Sequence, residues 1–195
     1  DKPAPPGWSL INLSANFEHY WEYRQVEKST DICFFGSTSN PDRAKIIEHI
    51  TSHPLWSRMN LDIVLEGRPG VIDTFIPKSE YFERMARSRV CLNIGGAAYG
   101  RAFRFYEIPW TGSFMLSQAF HAHQLHPFIN GRHCGYFSDV YELDTWLYNT
   151  LIISGCDEMR EEIASAGREH LLSHHTCEMR VKYILDTIGH GNGSR

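Results

Sequence analysis

Cysteine is sparse and poorly spaced for chemistry. The five cysteines, Cys33, Cys91, Cys134, Cys156 and Cys177, are odd in number and scattered, with no CxxC pair. That argues against a disulfide framework and a thiolate zinc site, and for reduced thiols in a cytoplasmic compartment. No apolar run reaches the length of a membrane span. The start, DKPAPPGWSL, lacks the basic-then-apolar pattern of a signal peptide. It also lacks an initiator Met, as a processed or excised piece of a longer chain would. No long Lys/Arg run occurs and the formal net charge is −4, so charge gives a nucleic-acid partner no support. Internal repeats and low-complexity segments are missing too.

What is present suits one soluble globular domain. The chain has 195 residues, of which 42% are hydrophobic and 22% charged. Histidine is abundant at eleven residues, with His121, His123 and His126 in one group and His174 and His175 in another. A metal site would need a carboxylate or thiolate converging on them, and none is evident. They are expected to be surface or capping residues, with no metal bound.

The order of elements predicts an α/β domain over residues 31–189, after a lead-in at 1–30 and before a tail at 190–195. In the lead-in, FEHYWEYRQVEK reads either as a helix packed on the domain or as a connector. Short apolar runs bounded by glycine or polar residues predict buried strands at 31–35, 61–65, 71–76, 90–94, 113–116 and 134–137. Between them lie helices. One starts at Pro41 with Asn40 as its cap, one spans 79–87 with Ser79 as cap, and a short one covers 103–110. The last third is helical: 140–153, a helix capped by Asp157 and running to Leu172, and a last one capped by Thr176. Met179, Val181, Tyr183, Ile184, Leu185 and Ile188 lie on or near the apolar side of that last helix. Strands alternating with helices imply a Rossmann-like parallel sheet covered on both faces.

Ligands of such sheets bind at the carboxyl ends of the strands. Three loops should meet there. GSTSN, with Gly36 and Ser37, leads into a helix start, which is either an ordinary capping loop or a phosphate cradle. NIGGAAYGR carries Asn93, Gly95, Tyr99 and Arg101. Its glycines allow close backbone approach, although their spacing is not the dinucleotide fingerprint. RFYEIPWTGS places Arg104 and Glu107 three apart, on one side of a helical turn. They form either a surface ion pair, or a guanidinium for a diphosphate beside a carboxylate for ribose hydroxyls. Pro109, Gly112 and Ser113 allow a tight return to the next strand.

R-F-Y-E-x-x-x-x-G-S-F-M-L-S resembles the R-x-F-E-x-x-x-x-G-x-x-x-L pattern of the spore-maturation CgeB-like branch of GT-B glycosyltransferases, grouped with the family-1 and family-4 types. Other pieces follow in the same order: Asp31 to Gly36 with Arg43, then SRVCLN, then the helix with Ile163, Ala164, Gly167 and Arg168. Last comes His175, Thr176, Cys177 and Arg180. The resemblance spans roughly residues 31–185. It implies the C-terminal, donor-binding half of a two-domain GT-B fold, with an N-terminal acceptor-binding domain elsewhere in the parent protein. The implied donor is a UDP- or GDP-linked sugar, bound with no cofactor or metal; the acceptor is unassigned. Glu107 would hold the ribose, Arg104 the phosphates, Gly112 and Ser113 the turn under the diphosphate, and Gly36, Ser37 and Arg43 the first phosphate loop. Many retaining members have two glutamates eight positions apart, whereas the earlier position here is Tyr99. That substitution keeps open a non-catalytic nucleotide- or partner-binding domain.

Overall fold

The computed structural model describes residues 15, 17, 18, 21–37, 41–66, 76–95, 103–119 and 125–191. Among these, five strands form one all-parallel sheet: β1 Thr30–Ser37, β2 Leu61–Glu66, β3 Ser88–Asn93, β4 Phe114–Gln118 and β5 Gly135–Phe137. Their order is β2-β1-β3-β4-β5. The described helices are α1 Pro41–Ser52, α2 Lys78–Ala86, α3 Arg104–Thr111, α4 Val140–Leu151, α5 Cys156–His174 and α6 Cys177–Gly191.

Successive strand residues point to opposite faces, so an unbroken apolar run can be buried only with cover on both sides. In β1, Ile32 and Phe34 join a core with Ile46, Ile47 and Ile50 of α1 and Leu143 and Leu147 of α4. Cys33 and Phe35 join the other core, with Phe82 and Met85 of α2 and Phe105 and Ile108 of α3. The Rossmann-like α/β class expected from the sequence is therefore the observed one. All five cysteines are free thiols.

Several local expectations need correction. Residues 71–75 of the expected third strand lie outside the described residues, and Ile76 belongs to no strand. Ser79 does not cap α2, which starts one residue earlier behind Pro77. Asp157 does not cap α5, which starts at Cys156 behind Gly155 in the left-handed region at φ 78°; Asp157 instead pairs with Arg160. Thr176 does cap α6, its Oγ1 accepting from the Met179 N–H at 3.3 Å. Val181, Leu185 and Ile188, placed near or on the apolar side of that helix, are exposed. Residues 21–29 form neither helix nor strand. Aromatic anchors hold this lead-in instead: Phe17 packs on Phe82 and Trp110, and Trp110 Nε1 donates to the Trp21 carbonyl at 3.2 Å. No described helix is long and apolar enough to cross a membrane.

Candidate functional site

In a sheet ordered 2-1-3-4-5, the connections after β1 and β3 diverge to opposite faces. They leave a crevice between the carboxyl ends of those two strands. Several expected site residues meet there. Gly36 lies at the end of β1 and Asn93 ends β3. Arg43, in the first turn of α1, is 4% exposed and donates to the carbonyls of Ile94 and Gly95 at 3.1 and 3.0 Å. Arg104, the first residue of α3, reaches back across the crevice and donates through Nη1 to the Phe35 carbonyl. Both guanidinium groups lie against the Phe34 ring, at 4.9 Å for Arg104 and 5.5 Å for Arg43. Burial, and then the nearby Arg104 charge, push the Arg43 pKa down. Two cations crowded in this way favour an anion between or above them.

Gly36 explains how Arg104 fits. A Cβ there would lie 2.9 Å from Arg104 Nη1 and 3.0 Å from the Phe34 ring. The absent side chain is the space the guanidinium occupies. Arg104 Nε is buried with no hydrogen-bond partner, and so is Asn93 Oδ1, although Asn93 Nδ2 donates to Ser117 Oγ at 2.9 Å. Buried polar atoms left unmatched in this way are uncommon in folded proteins.

Glu107 sits one helical turn beyond Arg104 and is 4% exposed. It makes no ion pair with Arg104, so the simple surface pair is excluded. Its Oε2 accepts from the Tyr81 hydroxyl at 2.7 Å and its Oε1 from Lys78 Nζ at 3.3 Å. Burial, then the Glu107 charge, push the Tyr81 pKa up, so the phenol stays protonated and donates. A buried carboxylate needs such donors to remain charged. Lys78 and Tyr81 both come from the first turn of α2. Sequence reasoning picked out neither Lys78 nor Tyr81 as a site residue. The available signal was positional: α2 follows β2, so its start also faces the carboxyl edge.

The structure does not bring Gly112 and Ser113 to this site. α3 has eight residues, which at 1.5 Å per residue carries the chain about 12 Å toward the opposite edge. Gly112 ends the helix there at φ 73°. Ser113 Oγ donates to the Met85 carbonyl at 2.7 Å and accepts from Lys28 Nζ at 3.0 Å. Their role is to turn the chain from helix into β4 at the amino edge of the sheet. Ser37 is the last residue of β1, paired with Glu66. Gly95 N–H donates to Gln118 Oε1 at 3.2 Å, fastening the β3 exit to β4. Tyr99 and Arg101 lie outside the described residues.

His126, His133, His170, His174 and His175 form a separate cluster in which His133 and His175 are buried and His126 is exposed; His121 and His123 lie outside the described residues. His133 stacks on His170 with ring centroids 4.2 Å apart, His126 on His174 at 4.4 Å, and Phe128 on His175 at 5.2 Å. His175 uses both ring nitrogens. Nε2 bonds the His126 carbonyl at 2.9 Å, and Nδ1 receives Arg180 Nη2 at 2.7 Å. A second ring proton would face the Arg180 donor. Burial, then Arg180, lower the His175 pKa to about 3; burial, then His170, lower that of His133 to about 4. Among the described residues, no group of His, Cys, Asp or Glu could hold a metal ion. Thus His175, Thr176 and Arg180, part of the C-terminal motif, fasten the α5–α6 junction to the β4–β5 loop. The lead-in joins the same junction, with Ala15 N–H donating to the His175 carbonyl at 2.7 Å.

No curated protein matches the chain. Among solved structures, HepE from Anabaena, determined in complex with UDP-glucose, is similar at 10% identity and a TM-score of 0.49. The match covers 82% of this chain and 40% of that one. A family model described as "Glycosyl transferase-like" matches residues 43–186, most of the sequence, and the chain belongs to that glycosyl transferase-like family.

Proposed function

We propose that this domain binds a nucleoside-diphosphate sugar at the carboxyl edge of its sheet, as the donor half of a GT-B glycosyltransferase of the CgeB-like kind. The observation that supports this most is the convergence of Arg43 and Arg104 on the β1–β3 crevice, with the buried Glu107 one turn away. The arginines neutralise the diphosphate. Glu107, fixed by Tyr81 and Lys78, accepts hydrogen bonds from the ribose hydroxyls. In the transfer step, the bond between the sugar's anomeric carbon and the diphosphate oxygen breaks, and its electron pair stays on the diphosphate. Arg43 and Arg104 stabilise that developing charge. The acceptor oxygen bonds the anomeric carbon and loses its proton to a base from an acceptor-binding domain. The position of Tyr99, where many retaining relatives have glutamate, supports a second reading: a domain that binds the nucleotide without catalysing transfer.

Titration of the folded chain with UDP, GDP and their sugars, followed by calorimetry or ligand NMR, tests the site. Saturable binding is expected, weakened at least tenfold by Arg104→Ala or Glu107→Ala, as loss of a charge-assisted contact implies. A folded sample that binds none of these nucleotides would overturn the proposal. Binding without turnover, once an acceptor-binding domain is supplied, would favour the second reading.

A further inference from the structure

A second group of cations lies at the other end of α3. There a cavity of about 430 Å³ opens at the amino edge of the sheet, lined by residues that include Tyr23, Lys28, Gly112, Glu161, Ser165 and Arg168. Its volume is within the range of small-molecule sites. Lys28 donates to the Ala86 carbonyl at 2.7 Å and to Ser113 Oγ at 3.0 Å. Its third donor has no partner among the described residues, and no described carboxylate lies within ion-pair distance of it, although Glu161 acts on it electrostatically. Arg168 is less satisfied still. Its guanidinium carbon lies 3.7 Å from the centroid of the Tyr23 ring. Its Nε is buried without a partner, and no described group accepts a hydrogen bond from it. Burial lowers the pKa of both side chains. Arg24, which also lines the cavity, is already paired with Glu83 at 2.5 Å.

Withdrawing a cation from water without a counter-charge is costly, and the cost is recovered when an anion binds. Stacking on Tyr23 holds the guanidinium plane fixed while leaving its donor edge available, the arrangement suited to a planar or tetrahedral oxyanion. Glu161 and Ser165 precede Arg168 on the same face of α5 and add an acceptor and a hydroxyl. We propose that this cavity is an anion site, separate from the carboxyl-edge crevice, which takes a compact hydroxylated phosphate ester. Arg168 and Lys28 hold its phosphate oxygens and Glu161 accepts from a hydroxyl. The competing explanation is that both cations merely complement the carboxyl ends of the α2 and α3 dipoles.

Glucose 6-phosphate is the probe, with amide and arginine Nε–H shifts of the full chain followed by NMR. Saturable shifts at Gly112 and at Arg168 Nε are expected at millimolar concentration. Arg168→Gln should weaken binding tenfold or more while the remaining amide spectrum stays folded. Ser165→Asp leaves both cations in place but puts a negative charge on the cavity wall, and should abolish binding. Three results would each overturn the proposal: no saturable shift, undiminished binding in both variants, or shifts confined to Gly36 and Gly95. The last would place the phosphate in the carboxyl-edge crevice instead.

Discussion

Two buried polar clusters of this domain handle charge in opposite ways. At the carboxyl edge, Arg43 and Glu107 are buried and Arg104 half-buried, and the three are held by carbonyls, a phenol and an amine. Around Phe128, His133 and His175 are buried, and burial first, then His170 for the one and Arg180 for the other, pushes their pKa values down. The first arrangement gathers two guanidinium groups at the ligand-binding edge of the sheet and suits a ligand. The second uses both nitrogens of His175 and suits a structural clasp. Perturbing the first should change binding with little effect on stability, and perturbing the second should do the reverse.

Acid is the strongest test of that difference. His133 and His175 have pKa values of about 4 and about 3 in the fold, against about 6.5 in an unfolded chain. The unfolded state therefore binds more protons as pH falls below about 6.5, and stability present above that point is lost between about pH 6.5 and 3. The loss should reach the order of 6 kcal/mol by pH 4. Denaturant melts from pH 7.5 to 4 measure it. A flat profile over that range would mean that these imidazoles are not held neutral. A smaller effect on the same side follows from Gly167 in α5. A Cβ there would lie 2.3 Å from the His133 carbonyl oxygen. Gly→Ala usually favours a helix, but here it pushes α5 off the β4–β5 loop. Gly167→Ala should cost about 2–3 kcal/mol of stability, read as a lower Tm, with nucleotide affinity at any surviving fold unchanged.

On the binding side, Tyr81→Phe removes the hydroxyl that orients Glu107. Affinity for UDP should fall about tenfold, or about 1.4 kcal/mol, while affinity for 2′,3′-dideoxyuridine diphosphate stays the same. Equal losses for both nucleotides would show Tyr81 to be structural only.

How much of this was legible depended on whether side-chain type and position agreed. DICFF and LDIVL read directly as strands, because burial on both faces leaves a continuous apolar run. The place of Arg104 at the start of α3 was legible because a helix following a strand must begin at the carboxyl edge. Tyr81 was not, since its ring serves the core while its hydroxyl alone reaches Glu107. Gly112 and Ser113 were misplaced because nearness in sequence stood in for nearness in space, and α3 separates them from Arg104 by its whole length. The histidine cluster joins residues as far apart as His126 and His175, a distance no local pattern spans. The cap positions failed where Pro77 and Gly155 set the helix starts by backbone conformation rather than by a side-chain acceptor.

The finest division between binding and stability lies at Gly36. Its φ is not in the left-handed region, so alanine is conformationally acceptable in the strand. The obstacles are side-chain ends, because the added methyl would meet Arg104 Nη1 at 2.9 Å and the Phe34 ring at 3.0 Å. A guanidinium on a flexible stem can move by a few tenths of an ångström at little cost, whereas a backbone carbonyl such as that facing Gly167 cannot. Gly36→Ala should therefore alter stability by less than about 1 kcal/mol. The displaced Arg104 would no longer meet the diphosphate in the same place. Because a charge-assisted hydrogen bond depends on distance and angle, affinity for UDP should fall severalfold. Affinity for uridine, which has no diphosphate, should not change. A variant that loses affinity for both would place Arg104 against the nucleoside and move the phosphates toward Arg43.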